Sequence, residues 1–579
     1  MNPSIFFVDP DQTAAPSVSI LIQPYEQDTT VNLTSSNYPG LEVDVQKVLG
    51  QPSTFSVILP PNSPDPNNKI GLNPVGANIS NTGNLNPPGN LQDLASLITP
   101  MSTVTIQMTR GSYTYLVFFG MVLSIKETEN RGPDRVMRLI EISGVDMQYF
   151  LTNYAYFTLT WLGTANNVFE NMGNIPGVIL SQAGLSYGAP QAIASAFLQN
   201  VISPYLVNLT LPVNNQRYSF GQLLEARFGT FSSGTVNILF PFIPSFYNAE
   251  GAWWDKFTTF FPFPYYEMFF QTFDETDVTD PNEGNTGIPV LTYPEIESTT
   301  FTMGTRTFKN IFVSRELPFP RLQPVGAMPP YTYTLFMDNW NNLGEYRFQN
   351  GPTPFFESSM EFSAENARTF YMIDPSNIDL QFGGKNNSLS MFLLSQTAAM
   401  IDPINYSKYG YIPELSLIQW FFSKSTSTGG NSQTTLEQFG AVLLLTLGSY
   451  YVPLPLSARG MITLPLSPTI LQGNKFTCQP FKNGGEWTFY IDSVNHHFEF
   501  GGRSRTTLQV SRGLPKEVYA NTNGILAALL QGLVERSNNE YTLISNPVVA
   551  GQTGLTFATP SNVNNVFLNF LPALVQQGA

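Results

Sequence analysis

The fold turns on the stretch Trp487-Thr-Phe-Tyr-Ile-Asp-Ser-Val-Asn-His-His-Phe-Glu-Phe-Gly-Gly-Arg-Ser-Arg-Thr-Thr-Leu-Gln-Val-Ser-Arg-Gly-Leu-Pro515. Trp487, Phe489 and Ile491 share one face of a strand, because successive side chains point to opposite sides of a sheet. The apolar set then moves to Val494, His496, Phe498 and Phe500, which have the opposite parity. A β-bulge near Ser493 restores the register. Gly501-Gly502 reads as the turn and Thr506-Thr-Leu-Gln-Val510 as the returning strand, so Trp487 to Arg512 is expected to be a long antiparallel hairpin. Its structural residues are Trp487, Phe489, Ile491, Val494, Gly501, Gly502, Leu508 and Arg512, with Phe489 and Ile491 facing a core.

Working outward, Met461 to Leu464 and Lys475 to Cys478 read as further strands. The first 150 residues are also strand-rich: Val18 and Ile20 alternate with serines, Val43 and Val45 with acids, and Val104, Ile106 and Met108 with Thr105 and Gln107. Tyr113 to Ile125 and Val136 to Val145 read as strands flanking a polar turn over 127–134. The Asn/Pro/Gly-dense residues 60–90 read as a long exposed excursion, neither strand nor helix. Pro190 to Ile202 reads as a helix with Pro in its first turn. Ser388 to Met400 and Gly524 to Val534 read as two further helices, and Phe308 to Arg315 as a strand preceded by an acidic loop, Asp274 to Asp280. The aromatic run Trp253 to Phe273 suits interdomain packing better than a membrane or carbohydrate surface.

The strand pattern predicts a mainly β chain with α+β insertions, its first 150 residues an antiparallel barrel or sandwich; the resemblance given below implies two tube-type antiparallel β-barrel domains plus a peripheral mixed domain. The first barrel takes 1–150. The second takes 251–325 with 451–515, the peripheral domain 151–250 with 326–450, and a C-terminal tail with one short helix 516–579. At 579 residues, against about 150 per domain, the chain has room for several domains.

Composition removes whole classes of function. Charged residues are 12% of the chain, with 27 Lys plus Arg against 42 Asp plus Glu, a net charge of −15. Binding nucleic acid by neutralising phosphates runs on cations, so that mode is disfavoured, although DNA could slide past such a protein. One cysteine, Cys478, rules out an intramolecular disulfide and cysteine-based metal sites, and two histidines leave little for imidazole ligation. His496 and His497 are adjacent on a strand and point to opposite faces. No nucleophile elbow, zinc-protease helix, phosphate loop or dinucleotide fingerprint occurs. No catalytic, cofactor-binding or metal residue is therefore nominated, and the chain is expected not to be an enzyme. The start lacks a secretory pattern, and Ala441 to Leu447 is far short of the roughly 20 apolar residues that span a bilayer. Synthesis in the host cytoplasm without membrane insertion is expected.

The opening stretch resembles the closing hairpin of phage baseplate hub proteins, the late control protein D and type VI spike hub-like family. That family carries an aromatic-Tyr-Ile/Val strand, a Val-x-His pair, a Gly-rich turn and a Thr-Thr-Leu-x-x-x-Arg-Gly strand. Three more segments are similar to its motifs in the same order: Tyr265-Tyr-Glu-Met-Phe-Phe270 with Ile311-Phe-Val-Ser-Arg-Glu-Leu-Pro-Phe319, then Ser407-Lys-Tyr-Gly-Tyr-Ile-Pro-Glu-Leu415, then Ala458-Arg-Gly-Met-Ile-Thr-Leu-Pro-Leu-Ser-Pro-Thr-Ile-Leu-Gln-Gly473. Between 1 and 150 only the pattern matches, in Phe118-Phe-Gly-Met-Val122 and Ile142-Ser-Gly-Val-Asp146.

The resemblance implies a structural protein of the virion tail. It would be a homotrimer whose paired barrels make a pseudo-sixfold ring, joining the sixfold tail tube to the threefold central spike and forming part of the conduit for DNA ejection. Its implied partners are the tail tube protein, the central spike protein, other baseplate proteins and, as a further candidate, the tape-measure protein; DNA passes without specific binding. A cell-wall-degrading or carbohydrate-acting tail enzyme is the alternative. The ~60 residues after the hub-like region are few for a hydrolase domain.

Overall fold

A computed structural model describes residues 5–8, 15–59, 78–80, 98–156, 187–229, 240–241, 251–274, 300–325, 332–348, 356–374, 399–417, 432–480, 485–520 and 530, less 27–29, 132–135, 204–205 and a few single positions. The fold is mainly β. Numbering only the strands needed below, the N-terminal set is β1 (Ile5–Val8), β2 (Ser17–Gln23), β3 (Thr30–Thr34), β4 (Glu42–Val48), β5 (Thr54–Leu59), β6 (Asn78–Ser80), β7 (Thr103–Arg110), β8 (Tyr113–Arg131) and β9 (Val136–Val145). Then come β10 (Glu225–Phe228), β11 (Tyr266–Asp274), β12 (Phe301–Met303), β13 (Arg306–Glu316), β14 (Glu345–Phe348) and β15 (Glu357–Phe362). The last four are β16 (Ala458–Pro465), β17 (Lys475–Cys478), β18 (Trp487–Glu499) and β19 (Arg505–Pro515).

Fifteen of these strands form one sheet, in the order β6-β3-β2-β7-β8-β9-β5-β4-β18-β17-β14-β1, with β19, β16 and β15 following from the other edge of β18. Strand β18 is shared by two halves. Along one edge Trp487–Tyr490 pair with Lys475–Cys478, and Ser493–Glu499 pair with Val48–Glu42. Each half covers its own core: one is built on Val18, Ile20, Val43, Val45, Val104 and Ile142, the other on Ile462, Phe476, Phe489, Ile491, Val494 and Leu508. Among the described residues no hydrogen-bonded strand pair closes either half on itself.

Bulges decide which side chains reach which core. In β8, Ile106 faces Phe118 while Gln107 faces Leu116, leaving Val117 as the extra residue. Val117 and Phe118, although consecutive, therefore both enter the N-terminal core, while Leu116 and Phe119 face a larger core behind the sheet. In β18 the extra residue is Asp492, between the pairs Ile491–Val510 and Ser493–Gln509. That bulge lets Ile491 and Val494 share one core despite opposite parity.

Several expectations change. Among the described residues, strands β11, β12 and β13, from 251–325, do not pair with the strands of 451–515; with β10, from the segment expected to be peripheral, they form a separate four-stranded sheet. The reason lies in β13, buried along most of its length, which uses both edges: β10 pairs parallel on one and β11 antiparallel on the other. Conversely, β14 and β15, from 326–450, join the main sheet. Strand β15 is mostly exposed, with Met360 half-buried against the second core, and pairs with β16 at Gly460, where a Cβ would collide with the Ser359 carbonyl. Asn78–Ser80, inside the expected excursion, is a short strand on β3. The polar turn is shorter than expected, since β8 runs to Arg131. Of the helix expected at 388–400, Ala399 and Met400 lie in a strand and the rest lies outside the described residues. The acidic loop beyond Asp274 and the tail helix, apart from the buried Leu530, also lie outside them.

Behind the main sheet lies a large aromatic core. Helices α1 (Pro190–Phe197, continuing as a π-helix over Leu198–Ile202), α2 (Trp253–Phe260) and α3 (Ser432–Tyr451) contribute to it. At its centre Phe312 of β13 meets Phe257, Phe228, Phe270 and Trp254 with ring centroids 4.8 to 5.7 Å apart. The aromatic run thus packs internally, with Phe263 left 59% exposed as the exception. Among the described residues no helix is long and apolar enough to cross a membrane.

Candidate functional site: a buried polar junction

The hairpin residues named from sequence fall in two places. Phe489, Ile491, Val494 and Leu508 are fully buried in one core, with Trp487 half-buried at its edge. Gly501 takes φ +70° in the turn between β18 and β19, and Gly502 donates its N–H to the Glu499 carbonyl there. Arg512 lies elsewhere. Opposite Phe489 the hairpin is irregular, and Arg512 adopts a left-handed φ of 54°, a conformation that costs a non-glycine residue energy and needs surrounding contacts to hold it.

Those contacts form a polar cluster between the main sheet and the four-stranded sheet. Glu267 of β11 receives Arg315 Nε of β13 at 2.6 Å, and the Tyr490 hydroxyl of β18 lies 2.6 Å from each of its carboxylate oxygens. The other end of the Arg315 guanidinium donates to the Gly473 carbonyl and reaches the Tyr490 oxygen at 3.3 Å. Gly473 has φ +77°, and a Cβ there would crowd the Arg315 guanidinium. The Arg512 guanidinium stacks 3.7 Å from the Tyr490 ring centre and donates to the Pro318 carbonyl at 2.7 Å. Asp492, the bulged residue, accepts from Ser511 Oγ at 3.0 Å, and its backbone carbonyl accepts from the Leu49 N–H at 3.1 Å.

Glu267, Arg315, Tyr490 and Arg512 are each at most 9% exposed, so their charges are compensated within the protein, not by water. Burial pushes the Asp492 carboxyl up to about 6 against the pull of Arg512. Burial and then the Glu267 carboxylate raise the Tyr490 hydroxyl well above its ordinary value, so it stays a neutral donor. This chemistry holds elements together: the Arg315 guanidinium ties Glu267 to the Gly473 carbonyl, and the Arg512 guanidinium ties the Tyr490 ring to the Pro318 carbonyl.

A second polar contact lies where the two halves of the sheet meet. His497 Nδ1 is 2.8 Å from Asp44 of β4, Asn495 donates to the other Asp44 oxygen at 2.6 Å, and Glu42 is 3.9 Å from His497 Nε2. The Asp44 hydrogen bond raises the His497 pKa, whereas burial pushes fully buried His496 down to about 3 and keeps it neutral. Burial also raises the Cys478 thiol, leaving it unreactive. Among the described residues no group of three or more His, Cys, Asp or Glu side chains could hold a metal ion.

Sequence reading missed Glu267, Arg315, Tyr490 and Asp492 as members of one site. Each stands inside or beside a segment quoted above, yet they are up to 225 residues apart in the chain (492 − 267 = 225), and spacing alone gives no sign that they meet.

No family model matches the chain, and no curated protein matches it. Solved structures do. It is similar to the tail protein from Neisseria meningitidis at 9% identity, covering 86% of this chain and 96% of that one with a TM-score of 0.38. It is similar to the 43 kDa tail protein of a Shewanella oneidensis prophage at 10% identity, covering 86% and 98% with a TM-score of 0.37. A type VI secretion system component of E. coli, itself described as similar to phage tail proteins, matches at 7% identity, covering 85% and 76% with a TM-score of 0.31.

Proposed function

We propose that this chain is the structural hub of a phage-tail baseplate: a homotrimer whose paired strand-rich halves build a pseudo-sixfold ring between the sixfold tail tube and the threefold central spike. The observation that carries this reading is the convergence of four of the five hub-like segments, Ser407–Leu415 being the one that lies elsewhere. Tyr265–Phe270 supplies Glu267, Ile311–Phe319 supplies Arg315 and the Pro318 carbonyl, Ala458–Gly473 supplies the Gly473 carbonyl, and the closing hairpin supplies Tyr490 and Arg512. Four scattered similarities thus become one physical device, which locks the four-stranded sheet against the shared hairpin. Rigid locking of this kind suits a ring under mechanical load. Sparse surface charge suits large permanent interfaces, whose cores are depleted of charge.

The bore of such a ring would pass DNA without gripping it. We expect it to carry more Asp and Glu than Lys and Arg, because each phosphate-binding cation would add salt-sensitive affinity and slow ejection. Electron microscopy of the particle tests the reading: three copies around a central hole between tube and spike are expected, and a twofold or sixfold copy number would overturn it. A gel shift at ~0.15 M salt should show no double-stranded DNA binding. Turnover of purified peptidoglycan by the isolated chain would favour a cell-wall enzyme instead.

A further inference from the structure

A small cavity lies along the seam between the main sheet and the four-stranded sheet. It is lined by Lys47 of β4, Ser53, Asp146, Gln271 and Thr272 of β11 and Asn310 of β13, and apolar side chains, Phe118 and Phe270 among them, complete its wall. Its volume is about 20 Å³. That exceeds the roughly 10–15 Å³ needed to hold one water on the same kind of measure.

Its polar wall is incompletely satisfied. Gln271 is 5% exposed, and its amide Nε2 is buried without a hydrogen-bond partner among the described residues. A buried donor left unmade costs about 1–3 kcal/mol, so native structures supply an acceptor. Asp146 lies across the cavity, on the main-sheet side. Its two carboxylate oxygens accept the Ser53 N–H at 2.9 Å and the Gln148 N–H at 3.0 Å, the Ser53 side chain also hydrogen-bonds this carboxylate, and of its roughly four acceptor sites one is left for a further donor.

We infer that this seam holds one ordered internal water that accepts from the Gln271 amide and donates to the Asp146 carboxylate, bridging the two sheets. The chemistry selects water over the alternatives of similar size. A bound anion would face the Asp146 carboxylate. A metal cation would face the Lys47 ammonium with Asp146 as the one carboxylate in the lining, and a cavity of this size leaves no room for the waters such an ion keeps. Water alone both donates and accepts within this space.

A high-resolution crystal structure of the full chain tests this directly. Density for a water within hydrogen-bonding distance of both Gln271 Nε2 and an Asp146 oxygen is expected. An empty cavity, or a Gln271 amide bonded directly to a protein acceptor, would overturn the inference. Oxygen-17 relaxation dispersion, which counts long-lived internal waters, gives a second reading: Gln271→Leu should lose one water relative to the unaltered protein. An unchanged count would refute the bridge, and if that variant fails to fold, the crystal structure of the unaltered chain decides.

Discussion

Replacing Arg315 by Met should destabilise the protein by about 3–5 kcal/mol, because it strands the Glu267 carboxylate in the interior. At 2.6 Å and an effective dielectric near 20, the gross attraction between the two charges is roughly 6 kcal/mol. Desolvation costs several kcal/mol for each ion and offsets most of that gain, so the intact pair contributes little net stability. Removing one member leaves the other's desolvation uncompensated. Glu267→Gln should therefore cost a similar amount by stranding Arg315. The double variant should cost at least ~2 kcal/mol less than the sum of the single ones, since the second change removes the charge that the first left alone. Urea is the right denaturant because it does not screen charge, and tryptophan fluorescence is a fitting probe because Trp340 stacks 4.5 Å from Tyr519 and 6.4 Å from Tyr490. Arg459 provides the control: it meets Glu361 at 2.7 Å, a comparable geometry, but that glutamate is 61% exposed, so Arg459→Met should cost under ~1 kcal/mol. Single variants that cost less than ~1 kcal/mol, or that add within ~0.5 kcal/mol, would refute the argument that burial makes this junction costly to break.

Phe489→Ala should cost about 3–5 kcal/mol in the same urea assay, since its ring is fully buried in the second core; a loss under ~1 kcal/mol would contradict that placement. Gly460→Ala puts a methyl group against the Ser359 carbonyl, so hydrogen exchange should rise across Glu357–Phe362 while the β18–β19 hairpin stays protected; unchanged protection of β15 would show that the approach is not as tight as described. His497 has a raised folded pKa, so its contribution is fully present below the unfolded value near 6.5 and is lost as pH rises through the folded value. The stability difference between the unaltered protein and His497→Gln should therefore shrink as pH rises from the unfolded value near 6.5 through the higher folded one, the opposite pull of His496 cancelling in the comparison. A difference that grows with pH would reverse the sign of the argument.

Most of the long strands and the faces they bury were legible in the amino-acid order, because a strand's period of two is written in its own side chains. Val136 to Val145 matches β9 at both ends, and the parity change in β18 announced a bulge that the structure assigns to Asp492. Exposed edges left a weaker signal: Glu-Ser-Ser-Met-Glu-Phe of β15 carries only two apolar side chains, Met360 against the second core and Phe362 against Trp487, and backbone pairing to β16 supplies the rest. Which strands pair was not legible there and follows from how the sheets pack. An edge carries the same N–H and C=O groups whatever its partner, so nothing in Phe308 to Arg315 said that β13 would take β10 and β11 in place of the strands of 451–515. The junction of Glu267, Arg315, Tyr490 and Arg512 was out of reach for the same reason. Charge compensation in a dry interior depends on distances of a few ångströms, and those are set by how two sheets pack, not by positions along the chain.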